Sequence, residues 1–168
     1  MRTKVFFMSF IMLFLTACSS DDEAPVVNQD PYVPPPILGI VEVGGDEFKL
    51  NMGTIGLWEE HYWVVSLETL NWMSRDDGAH VDFVFYSSDD QRLESGTYAV
   101  DPELESPLTV IVLEQFPAGY FDTVNGDVTV AEDNGIYTIS WKVRGYFWGG
   151  GFLYTSSGNF IGHLLPGP

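Results

Sequence analysis

Residues 137–143 read Tyr-Thr-Ile-Ser-Trp-Lys-Val, with Tyr137, Ile139, Trp141 and Val143 on one parity and Thr138, Ser140 and Lys142 on the other. A period of two sends successive side chains to opposite faces of an extended chain, so the stretch predicts a strand with one face in a core and one toward water. The pattern recurs on the N-terminal side. Val81, Phe83 and Phe85 alternate with His80, Asp82 and Val84, and Phe48, Leu50 and Met52 alternate with Glu47, Lys49 and Asn51. Gly44-Gly45 and Asp133-Asn134-Gly135 fall between such runs and predict tight hairpins, because Gly and Asn tolerate positive φ. Leu108 to Leu113 is apolar on both parities, which predicts a central strand covered on both sides. A helical turn is expected only near Asp101 to Glu105. The expectation is an all-β domain, an antiparallel β-sandwich or a lipocalin-like β-barrel of about nine or ten strands.

The domain is expected to span residues 37–168, a length that buries a sizeable core. Before it, Pro25, Pro31, Pro34, Pro35 and Pro36 lie in a polar stretch without periodicity. Residues 18–36 therefore read as an extended tether. Residues 1–17 carry Arg2 and Lys4, then an apolar run from Val5 to Leu15, then Thr16 and Ala17. That is the build of an export signal, and the run is shorter than the ~20 residues of a spanning helix.

Leu15-Thr16-Ala17-Cys18 resembles the lipobox of bacterial lipoproteins, which implies cleavage before a lipidated Cys18 and a lipid anchor in a membrane. Ser19-Ser20-Asp21-Asp22-Glu23 is similar to the acidic surface-export signal of Bacteroidota lipoproteins, which implies an outer-membrane protein facing the cell exterior. Gly96-Thr97-Tyr98, Gly126-Asp127-Val128-Thr129-Val130, Gly135-Ile136-Tyr137-Thr138-Ile139 and Gly158-Asn159-Phe160-Ile161-Gly162-His163-Leu164 are similar to ordered segments of small uncharacterised Bacteroidota surface lipoproteins with a single β-domain. The resemblance covers most of Gly45 to Leu165 and implies fold and location. It carries over no catalytic residue. Cys18 is the only cysteine, so a lipidated chain holds no disulfide and depends on its core.

A formal net charge of −17 repels phosphate backbones and anionic headgroups, and nucleic acid is not an expected partner. His61, His80 and His163 are far apart in sequence, no H-E-x-x-H or G-x-S-x-G occurs, and Gly149-Gly150-Gly151 lacks the Lys of a phosphate loop. His80 and Asp82 share one strand face, for which a polar outer surface is the plainer account than a metal pair. No catalytic or metal set is assigned. Asp76-Asp77-Gly78 and Asp89-Asp90 have the oxygen chemistry for structural calcium without the EF-hand spacing, and solvated turn acids are the plainer account.

Aromatic residues make up 15% of the chain, more than one face of each strand accommodates. Trp58, His61, Tyr62 and Trp63 crowd one loop, and Tyr146, Phe147 and Trp148 stand beside three glycines. Rings at consecutive positions point to opposite faces, so some of these six aromatic residues are expected at a ligand or partner surface. The leading expectation is a non-catalytic domain that binds a glycan or an apolar small ligand, or serves as an accessory subunit. An adhesin or assembly protein is the first alternative, and a small hydrolase the second. The sequence pattern makes Cys18 the lipid attachment site. Cys18→Ala should accumulate uncleaved precursor and abolish fatty-acid labelling, and continued labelling of the variant would contradict the assignment.

Overall fold

A computed structural model describes residues 36–74, 77–148 and 151–167. Among them are eleven strands: β1 Gly39–Val43, β2 Asp46–Leu50, β3 Met52–Glu59, β4 Tyr62–Glu68, β5 His80–Tyr86, β6 Gly96–Val100, β7 Thr109–Phe116, β8 Gly119–Asp133, β9 Ile136–Phe147, β10 Leu153–His163 and β11 Leu165–Pro166. They form a single curled sheet, a half-barrel, in the order β11-β3-β4-β5-β7-β6-β8-β9-β10-β1-β2. The sheet is mixed and not purely antiparallel as expected, since β6 pairs parallel with β7 and β11 parallel with β3. The only helical segment described is a single 3-10 turn, Trp72–Ser74. Near Asp101 the chain makes a turn instead, closed by the Glu103 backbone N–H donating to Asp101 Oδ1 at 3.0 Å.

Two predicted hairpins are present. Gly44 and Gly45 have φ of 61° and 96°, and Asn134 and Gly135 have 52° and 79°. Positive φ at both central residues gives the turn whose twist matches the strands it joins. The chain also links the two ends of the strand order. β2 passes through Asn51 into β3, and β10 passes through Leu164 into β11, so one continuous segment pairs first at one end and then at the other. At the first corner the Asn51 side chain donates to the Pro36 carbonyl at 2.9 Å. Thr69 Oγ1 donates to the Lys49 carbonyl at 2.7 Å and satisfies an acceptor on the edge of β2.

The core lies inside the curl. Val81, Phe83 and Phe85 of β5, Val110 and Val112 of β7, and Ile139, Trp141 and Val143 of β9 are all buried, as the alternation requires. Rings fill the interior: Phe83 meets Trp141 edge-on at 5.2 Å, and Phe85 meets Tyr98 edge-on at 4.8 Å. Such pairs add to area burial through the ring quadrupole. The apolar run from Leu108 to Leu113 departs from expectation. β7 is central, bonded to β5, β6 and β8, yet Leu113 on its outer face is exposed, while Thr109 on the same parity is buried and Ile111 half-buried.

Gly158 lets the Trp141 ring lie directly against the neighbouring backbone. A Cβ at this position would lie 2.2 Å from the Trp141 ring and 2.7 Å from the Ile40 carbonyl oxygen. The ring is also held in place by its Nε1, which donates to Glu114. Gly158→Ala should therefore destabilise by about 1–3 kcal/mol, the usual cost of forcing a methyl into a packed core. Urea unfolding at neutral pH checks this, and a neutral effect would mean that the ring has space to move.

Candidate functional site

Directly paired residues in neighbouring strands point to the same face, so the register lists what the outer face presents. One row runs Asp82 on β5, Leu113 on β7, Asp122 on β8, Tyr146 on β9 and Leu153 on β10. The next row, toward the β7–β8 turn, runs His80, Gln115 and Tyr120, and the Trp148 backbone N–H donates to the Tyr120 carbonyl at 3.0 Å. Tyr120, Tyr146, Trp148 and Phe152 are 58%, 47%, 73% and 77% exposed. Phe152 is bonded to inward-pointing Phe147 and has the opposite parity to Leu153, so it falls outside the row; Tyr120, Tyr146 and Trp148 with Leu113 and Leu153 form an apolar ledge with the Asp122 carboxylate in its middle. Isolated apolar side chains are ordinary on a surface, but a contiguous ring-rich patch marks a binding surface.

Parity explains the sequence Tyr146-Phe147-Trp148. Phe147 points inward, packs edge-on against Phe121 at 5.2 Å, and lies over Gly119, where a Cβ would come within 2.7 Å of its ring. Tyr146 and Trp148 point outward by the same alternation. The other aromatic cluster does not form one surface. Trp63 packs against the core and donates from Nε1 to the Asp89 carbonyl at 3.1 Å. Tyr62 stacks on Tyr86 at 5.2 Å on the outer face, and Trp58 is exposed at a bulge near the end of β3. Cys18, Asp76, Gly149 and Gly150 lie outside the described residues.

At the β5 end of the ledge stands a polar cluster. Ser66 Oγ donates to Asp82 Oδ1, while His80 contacts Asp82 Oδ2 through Nε2 at 2.9 Å and Glu68 Oε2 through Nδ1 at 3.1 Å. Trp72 stacks on the imidazole at 4.8 Å. This is not a nucleophile set, because the serine hydroxyl is bonded to the carboxylate and not to the histidine. Both ring nitrogens face carboxylates, and no metal-binding group of three is found among the described residues. Burial lowers the His80 pKa, but hydrogen bonds and charge from Asp82 and Glu68 outweigh it and leave the value raised. Burial likewise raises Asp82, and the bonds from His80 and Ser66 outweigh it and leave the value lowered. His80 thus stabilises the fold most below its ordinary 6.5 and Asp82 most above its ordinary 3.8, so the cluster is strongest between the two. Of the turn acids, Asp89 accepts from the Gln91 backbone and Arg92 Nε, and Asp90 from the Gln91 side chain.

Inside the curl, Glu114 is almost fully buried. Trp141 Nε1 donates to its Oε1 at 3.3 Å, Ser156 Oγ donates to the same oxygen, and the Tyr154 hydroxyl donates to Oε2 at 2.8 Å. Its sequence signal was parity, for it occupies the core phase of Val110, Val112 and Phe116. Nothing local marked Tyr120 and Asp122 as neighbours of Tyr146, since that follows only from register. A depression of about 260 Å³, open to solvent, lies beside the Trp141 ring, lined by Ile40, Glu42, Trp141, Ser157, Gly158 and Asn159. Comparison with known proteins found no matching family model, curated protein or solved structure.

Burial pushes the Glu114 carboxyl up, against three hydrogen bonds that favour its ionised form. Stability from a group raised in this way is complete below its ordinary value of 4.5 and is lost as pH rises through the folded value. Glu114→Gln keeps the shape without the charge, so its stability relative to the parent should improve steadily as pH rises. Urea unfolding over roughly pH 4 to 8 reads this directly, and parallel pH profiles for the two proteins would contradict it.

Proposed function

We propose that the protein is a non-catalytic recognition domain, lipid-anchored through Cys18 at the outer-membrane surface, which binds a glycan on the ledge of Tyr120, Tyr146, Trp148 and Leu153. The observation that carries the reading is the exposure of these side chains around a single carboxylate, Asp122. Aromatic faces stack on the C–H faces of sugar rings, and a carboxylate accepts from hydroxyl groups. Sites for small molecules enclose roughly 70–90% of the ligand, whereas the ledge is on the outer, convex side of the curl and the interior is packed with rings. That favours a ligand bound on an open face over an apolar molecule carried inside. Protein interfaces are depleted of charge at their centres, and an acid at the centre of this patch favours a sugar over a protein partner.

Trp148→Ala tests the reading. Because the side chain is exposed, the variant should unfold within about 0.5 kcal/mol of the parent. Retention on the glycans that the parent selects from an array should fall roughly tenfold, near 1.4 kcal/mol. Unchanged retention, or a protein partner captured through Trp148 while the array stays blank, would overturn it.

A further inference from the structure

We infer that the glycan is an extended, uncharged chain laid across the strands, and not a single terminal sugar. This rests on the glycan reading above. The ledge does not stop at β8. Through Leu113 and Gln115 it continues to Asp82 and His80 on β5, where Trp72 stacks over the imidazole and ends the band. The band thus carries a tryptophan at each end, Trp72 and Trp148. Between them, His80, Gln115 and Tyr120 stand in one row and Asp82, Leu113, Asp122 and Tyr146 in the next, at strand spacing. Three steps of about 4.8 Å, from β5 through β7 and β8 to β9, give roughly 14 Å, room for on the order of three linked sugars. Gln115 offers both a donor and acceptors midway, and Asp122 offers acceptors one strand further.

Charge decides the class of polymer. Asp82, Asp122 and Glu68 stand in or beside the band, Arg144 is one row away on β9, and the chain as a whole carries −17. Uronate or sulfated glycans would meet like charge along most of their length. Length follows from the openness of the band, which no described residue walls in. One sugar on an open face is covered on one side only, so useful affinity comes from several weak contacts made by one molecule, each raising the effective concentration for the next.

The test is calorimetric titration of the full chain with malto-, cello-, xylo- and manno-oligosaccharide ladders and with polygalacturonate, alongside Gln115→Ala and Trp148→Ala. For the ladder that binds, affinity should rise at least tenfold from the disaccharide to about the tetrasaccharide and then level off. Gln115→Ala should weaken the tetrasaccharide severalfold, leave the disaccharide unchanged and leave melting unchanged. Disaccharide binding as tight as that of the longest member, lost in Trp148→Ala, would overturn the extended chain and keep the glycan reading. Preference for polygalacturonate would overturn the neutral class alone. No binding to any of these ladders and to any glycan on an array would overturn the glycan reading and the inference together.

Discussion

The three donors gathered on Glu114 hold the two flanks of the curl against each other. Glu114 belongs to β7, Trp141 to β9, and Tyr154 and Ser156 to β10. β7 is not paired with either of the others, so this contact joins strands that the backbone ladder leaves apart. Burying a carboxyl is costly, and among the described residues no cationic side chain is paired with it; the three hydrogen bonds to its oxygens offset that cost in part. The arrangement is asymmetric in its energetics. Removing the acid alone would leave an indole N–H and two hydroxyls to find new partners inside a dry core, whereas replacing the whole set by apolar groups of the same shape would cost little.

From Glu114 the packing leads outward to the ledge. Tyr154, held by its hydroxyl, lies against Phe121 at 4.4 Å, and Phe121 in turn meets Phe147. Gly145 makes room for this stack, since a Cβ there would come within 2.7 Å of the Tyr154 ring. Phe147 is therefore anchored from below while Tyr146 and Trp148, its neighbours in sequence, are pushed to the other side. The position of the exposed rings is a consequence of which rings the core keeps. A ledge held this way is preorganised, and binding to it forfeits little conformational entropy.

Much of the fold was legible because strand alternation is a local signal. Tyr137 to Val143 and Val81 to Phe85 name their own inner faces, and Gly44-Gly45 and Asn134-Gly135 name their turns. The rest required non-local knowledge. Leu113 looked like a buried residue because Leu108 to Leu113 is apolar throughout, yet cover for an outer face depends on non-local packing, and among the described residues Leu113 does not receive it. The choice between two stacked sheets and one curled sheet depends on where segments such as β2–β3 and β10–β11 change partners, and a single Asn51 or Leu164 does not announce that. Trp58 to Trp63 read as one cluster along the chain, but alternation and a bulge disperse it. Asp122 and Tyr146 are adjacent only through register, so the ledge was visible in the sequence as Tyr146 and Trp148 and invisible as a surface.

The ends of the sheet give the ledge a direction. The described chain enters β1 at the end where Ile136 and His163 pair, while Trp148, Leu153 and the β7–β8 turn lie at the opposite end. The start of β1 is thus at the end of the sheet remote from the exposed rings. With the start of β1 at one end and the rings at the other, β1 leaves the aromatic surface uncovered. The open, convex face that makes a poor pocket for a small molecule suits a polymer, which needs no walls to be held at several points.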